Sequence, residues 1–171
     1  MNTLNNQLLK ADRLAAITQR IGFALWQLQE LEGTTAQYYV LVVHTRLGMG
    51  IAAGQELLGK AQSKTFGSTI TQLVKAQKLP KALESRFNLL LSERNWLVHC
   101  SRSGSRDAVH NDQAFNKLIG RLDAMAEEAH LLLKELGLQV EAFVRKHGVS
   151  KKNIDQLAEK TLREWHGETA P

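Results

Sequence analysis

Cysteine is nearly missing from this chain: Cys100 is the one example in 171 residues. A single thiol cannot close an internal disulfide or build a cysteine-rich zinc site, so a disulfide-stapled scaffold is excluded. Proline is scarce as well, with two residues. Because proline breaks helix interiors, its scarcity favours a helical chain. No uncharged apolar run reaches the length that spans a bilayer. The most apolar stretch, Tyr38 to Val43, is followed at once by His44 and Arg46. The segment Met1-Asn2-Thr3-Leu4-Asn5-Asn6-Gln7 is polar and lacks the basic-then-apolar order of a signal peptide. The expectation is a cytoplasmic protein with no membrane partner.

What is present is ordinary for a globular chain. Hydrophobic residues make up 43% and charged residues 23%, which excludes global disorder. The length suits a single domain over residues 1–171 with room for a core. Lys and Arg number 22 against 17 Asp and Glu, a net charge of +5. The basic balance, with a pI near 9.5, directs attention to an anionic partner, nucleic acid first. The excess is small, so the argument turns on particular residues.

Apolar residues at Leu14, Ile17, Ile21, Ala24, Leu25, Leu28 and Leu31 recur in steps of three and four, an amphipathic helix. Gly33-Thr34-Thr35 reads as its stop and as the cap of the next helix. That second helix is expected to run from Tyr39 through Leu47, Ile51 and Gly54 to Leu58. Gly48, Gly50, Ala52, Ala53 and Gly54 would let a neighbouring backbone approach, or else mark a kink. Thr65-Phe66-Gly67-Ser68 reads as a turn into a short helix from Thr69 to Lys78, and Pro80 as the first residue of a helix ending near Cys100. Ser101 to Arg106 reads as a flexible basic loop. Asn111 or Asp112 caps a long helix that His147-Gly148 ends, and Ser150 opens a last one to about Trp165. Trp165 is expected to dock that last helix onto the bundle or a partner. The fold class is all-α: a bundle of four main helices plus short extra ones, with 149–171 appended.

The informative segment is Lys81 to His99. On a helical wheel Leu83, Phe87, Leu90, Leu91, Leu97 and Val98 lie within about 60° of Arg94. A permanent charge in the middle of an apolar stripe is costly unless paired, and such breaks in pattern often mark function. Asn95 and His99, four residues apart, stack on one flank of this helix. Arg94, Asn95 and His99 are therefore candidates to share a pocket at the edge of the core. On the opposite side Ala82, Leu89 and Trp96 repeat every seven residues, a second apolar strip that needs another helix or a second subunit. The plain alternative gives Arg94 a structural ion pair with Glu32, Glu56 or Glu127, and leaves His99 as a surface residue stabilising a helix end.

Arg94-Asn95-Trp96-Leu97-Val98-His99 resembles the R-N-x-x-x-H form of the motif of the HEPN superfamily. The approach to it, Thr65-Phe66-Gly67 through Leu79-Pro80 to Leu90-Leu91-Ser92-Glu93, is similar to that in bacterial members, so the resemblance covers about Thr65 to His99. It implies a small helical bundle forming a homodimer, with the two motifs facing each other across the interface. It also implies metal-independent endoribonuclease activity, in some members as a toxin of a toxin–antitoxin or antiphage system. Arg94 and His99 would be the catalytic pair and Asn95 the supporting polar residue. The toxin subgroup regulated by a nucleotidyltransferase carries a tyrosine two residues past the histidine. Ser101 stands there in this chain, which argues against that regulation.

The residue types suit the chemistry independently. Metal-free RNA cleavage uses the ribose 2′-OH against the adjacent phosphate, a histidine to move the proton, and an arginine to hold the developing charge. One histidine is short of an acid and a base, and a symmetric dimer supplies two. Arg102 and Arg106 are candidate RNA-phosphate contacts, and Leu89 and Trp96 candidate dimer-interface residues. The Arg145-Lys146 and Lys151-Lys152 pairs read more simply as a solvated helix end. His44, His110, His130, His147 and His166 are scattered without metal-site spacing, so no metal and no cofactor is expected. Gly48-Met49-Gly50 lacks the spacing and lysine of a phosphate loop, and Cys100 reads as a small packing residue. The expectation is an RNA-cleaving homodimer with an antitoxin or defence partner. Its rival is a non-catalytic helical dimer that binds nucleic acid or a protein.

Overall fold

A computed structural model of the chain describes residues 2–46 and 48–168. Among them there is no strand. Six α-helices follow in order: α1 Asn2–Tyr39, α2 Ile51–Gln62, α3 Phe66–Lys75, α4 Lys81–Gly104, α5 Asp112–Lys146 and α6 Lys151–Trp165. A π-helical turn, Val40–His44, ends α1, and a 3-10 turn, Arg106–Val109, joins α4 to α5. The chain divides into two compact units, Met1–Lys134 and Glu135–Pro171. The boundary falls inside α5, and the appended segment expected at 149 lies within the second unit. No helix among the described residues is long and apolar enough to cross a membrane.

In the first unit α1 is the central element, touching α2, α3, α4 and the 3-10 turn. Its stripe buries Ile17, Ala24, Leu28 and Leu31, while Leu14 stays exposed. Phe66 and Ile70 of α3, Phe87 and Leu90 of α4, and Leu122 and Met125 of α5 complete this core. The Phe66 and Phe87 rings meet edge to face at 6.0 Å. Two forked ion pairs join α4 to α5: Arg86 to Glu128 at 2.7 and 3.0 Å, and Arg121 to Glu93 at 2.6 and 3.0 Å. In each helix the Arg and the Glu stand seven residues apart, two turns, so the two bonds fix an antiparallel register.

Several boundaries differ from the sequence expectation for identifiable reasons. Gly33-Thr34-Thr35 does not stop α1. The Thr35 hydroxyl donates to the Leu31 carbonyl at 2.6 Å inside the core, so its polar group is satisfied within the helix. The second helix is not continuous, because the chain leaves helical geometry after His44. Gly48 adopts φ +83°, and α2 begins only at Ile51. Leu47, expected on that helix, lies outside the described residues. A Cβ built at Gly48, Gly50 or Gly54 meets nothing within 4 Å, so no neighbouring backbone approaches these small residues.

The third helix starts earlier than Thr69, at Phe66, where the Thr65 side chain accepts from the Ser68 amide. Pro80 serves as N-cap of α4 rather than its first residue. The expected caps hold farther on: Asn111 accepts from the Ala114 amide, Gly148 takes φ +90° after α5, and the Ser150 hydroxyl caps α6. Trp165 is not packed against its own unit. It is 78% exposed, and α6 buries no residue.

Candidate functional site

The largest correction concerns the segment after His99. Ser101 to Arg106 is not a flexible loop. α4 continues one turn past Cys100 to Gly104, and Ser105 then breaks it at φ −124°, ψ 9°, its hydroxyl bonding back to the Ser101 carbonyl. The 3-10 turn that follows is anchored by Ala108, which is buried. Steps of four and three then place Asn95, His99 and Arg102 in one row along α4. All three are exposed, and none makes a side-chain hydrogen bond or ion pair among the described residues.

Arg94 lies on another face of the same helix. Its Nε donates to Glu32 Oε1 of α1 at 2.8 Å, with both side chains less than a third exposed. Of the three acidic partners open to it in sequence, Glu32 is the one it takes. Its Nη nitrogens carry no hydrogen bond among the described residues. No hydrogen bond links Arg94 to Asn95 or His99 within the chain. Glu32 also lines a cavity of about 260 Å³ with Gln29, Lys64 and Thr69.

The second apolar strip divides in two. Trp96 is covered from within the chain: the Arg121 guanidinium lies 3.4 Å from its ring centroid, a part-exposed cation–π stack held in place by Glu93. Leu89 has no such cover and is 71% exposed, at the edge of a cleft with Leu90, Ala124 and Met125. Cys100 is exposed rather than packed.

Arg102 and Arg106 meet at a cleft of about 630 Å³ between α1 and the end of α4. Leu14, Ile17 and Ile21 of α1 with Val109 form its apolar wall. Ser101, Ser105, Asp107 and His110 add polar groups beside the two guanidinium groups. Neither arginine has an ion-pair partner among the described residues. The cleft depends on a residue the sequence reading missed. Arg13 is buried, ion-pairs with Asp112, donates to the Val109 carbonyl at 3.3 Å and lies over the Phe115 ring. It shares the wheel position of Ala24 and Leu31 to within about 20°, the same break in pattern that singled out Arg94.

Among the described residues no three His, Cys, Asp or Glu side chains group closely enough to hold a metal ion. Burial pushes the titration of the Tyr38 hydroxyl upward, and the hydrogen bond and charge of Lys60 pull that of the exposed Glu56 downward. Neither belongs to the row or to the cleft. Set against known proteins, the chain matches no protein-family model, no curated protein and no solved structure.

Proposed function

We propose that this chain is a metal-independent endoribonuclease of the HEPN type that works as a homodimer, in a toxin or antiphage-defence setting with a protein partner. The observation that carries the reading is the row Asn95, His99 and Arg102 on α4, without side-chain partners among the described residues, beside an Arg94 whose Nε is committed to Glu32 and whose Nη nitrogens carry no hydrogen bond there. His99 takes the proton from a ribose 2′-OH, and the oxygen attacks the adjacent phosphorus. The P–O5′ bond breaks, leaving a 2′,3′-cyclic phosphate, and a second histidine, from the other subunit, protonates the leaving 5′ oxygen. Arg94 holds the non-bridging oxygens through its open nitrogens, and Asn95 orients the imidazole or the phosphate. Arg102 and Arg106 hold flanking phosphates. Leu89, uncovered by this chain, and Trp96 beside it form the contact that brings the second histidine.

The test is cleavage in EDTA. The protein is expected to cut single-stranded RNA and leave 2′,3′-cyclic ends, to spare DNA and RNA methylated at the scissile 2′ oxygen, and to lose the activity in His99→Ala. A requirement for Mg²⁺, or cleavage that survives 2′-O-methylation, would refute the mechanism. Inactivity of the wild type freed of partners would favour the second reading, a non-catalytic helical dimer that binds nucleic acid or protein. The observation on its side is the Arg94–Glu32 bond, which satisfies Arg94 as a structural ion pair without any substrate.

A further inference from the structure

Arg102 belongs to two features at once. It is the last member of the exposed row that contains His99, and it lines the cleft between α1 and the end of α4. We propose that this cleft is a nucleobase pocket: it takes one unstacked base of a single-stranded RNA whose phosphates lie on Arg102 and Arg106. The proposal rests on the RNA reading above and adds to it where the strand runs and what part of it is read.

Charge and shape favour this occupant. Two guanidinium groups without an ion-pair partner among the described residues, against the single carboxylate of Asp107, leave the rim cationic, which suits a phosphate and opposes a basic surface loop. Behind the rim, Leu14, Ile21 and Val109 offer a wall without charge, where a base can leave water by its flat faces. Ser101 and His110 stand at its border and can hydrogen-bond a base edge. A volume of about 630 Å³ is within the range of small-molecule sites and exceeds what a bare phosphate would fill. Along α4, His99 and Arg102 are three residues apart, about 4.5 Å in axial rise, so the row leads from His99 to the rim of the cleft. A strand laid along this row from His99 reaches the cleft at Arg102. Sequence-selective RNA binding commonly works this way, by splaying a base out of the stack.

The experiment measures binding of the full chain to two uncleavable probes, a 2′-O-methyl RNA heptamer and the same backbone with every base removed. The wild type is expected to prefer the heptamer with bases by about tenfold, the effect of seating one base. Leu14→Gln removes part of the wall and Thr18→Leu fills the mouth, and both positions are exposed, so folding is spared. Each variant should bring the ratio close to one while retaining binding of the abasic backbone. Arg102→Ala with Arg106→Ala should weaken both probes alike and lower the salt slope of log K by about 1.4, two phosphate contacts. A base preference that survives in both Leu14→Gln and Thr18→Leu would overturn the pocket and leave the RNA reading standing. Failure of the wild type to bind either probe would overturn the RNA reading, and the pocket with it.

Discussion

Arg94 on α4 and Glu32 on α1 are joined by a 2.8 Å bond from Nε to Oε1, and the Nη nitrogens carry no hydrogen bond among the described residues. A carboxylate in this position fixes the plane of the arginine, and a fixed plane matters most when the other nitrogens must meet a phosphate.

This gives the first prediction. Glu32→Gln retains an acceptor but removes the charge, and Arg94→Ala removes the partner. Each is expected to cost about 1 kcal/mol of stability, discounted for partial exposure. The exchange Glu32→Arg with Arg94→Glu should recover much of that loss in urea unfolding, because the ion pair is rebuilt in reverse. It should not recover RNA cleavage, because the guanidinium then sits on α1. An exchanged protein that cleaves would show that Arg94 serves only the fold.

Assembly gives the second. Leu89 is uncovered, so Leu89→Glu should turn a dimer into a monomer by light scattering with little change in thermal unfolding. Trp96→Glu should also yield a monomer, and in addition lower the melting temperature, because it unseats the Arg121 stack. An unchanged dimer mass in Leu89→Glu would remove this face from the interface.

What the sequence made legible is the chemistry that acts locally. Pro80, Asn111, Gly148 and Ser150 mark helix ends because each satisfies or forbids a backbone bond within a few residues. Gly33-Thr34-Thr35 misled because Thr35 satisfies its hydroxyl inside the helix, on Leu31, and tertiary burial does the rest. The polar run after Cys100 misled for a similar reason: serines and a glycine are weak helix formers, yet Ser103 and Ser105 bond back to Cys100 and Ser101 and the turn is pinned by buried Ala108. For the candidate site, the row Asn95–His99 was readable as a four-residue step, whereas Arg102 joined it only once α4 proved longer. The cleft was not readable, since its wall comes from α1, about eighty residues away in the chain.

The third prediction concerns pH. The Tyr38 hydroxyl donates to the Lys78 carbonyl at 2.9 Å, and burial raises its pKa above the ordinary 10.0. Between the unfolded and the folded values the native chain retains a proton that the unfolded chain has released, so stability falls as pH rises through that window and is fully present below it. Tyr38→Phe should lose about 1 kcal/mol at pH 8 with the hydrogen bond, and then fall less steeply than wild type above pH 10 in urea unfolding. Parallel slopes would contradict a raised Tyr38.

The last prediction joins stability to the cleft through Arg13. Its buried guanidinium bonds the Val109 carbonyl and pairs with Asp112, so it ties α1 to the last residue of the 3-10 turn and the first residue of α5. Asp112 is largely exposed, so the ion pair itself adds little, and the larger effect comes from the orphaned carbonyl and the lost packing on Phe115. Arg13→Met keeps an unbranched apolar stem while removing every donor. It is expected to lower stability by about 1–3 kcal/mol in urea unfolding, with secondary structure retained in circular dichroism. Because Val109 forms part of the cleft wall, the same substitution should also reduce the preference for RNA with bases over the abasic backbone, although Arg13 itself does not line the cleft. Arg13→Lys, which keeps a charge but not the fork, should fall between the two. A variant as stable as wild type with an unchanged base preference would show that the 3-10 turn holds its place without α1, through Ala108 and the Ser105 bond alone.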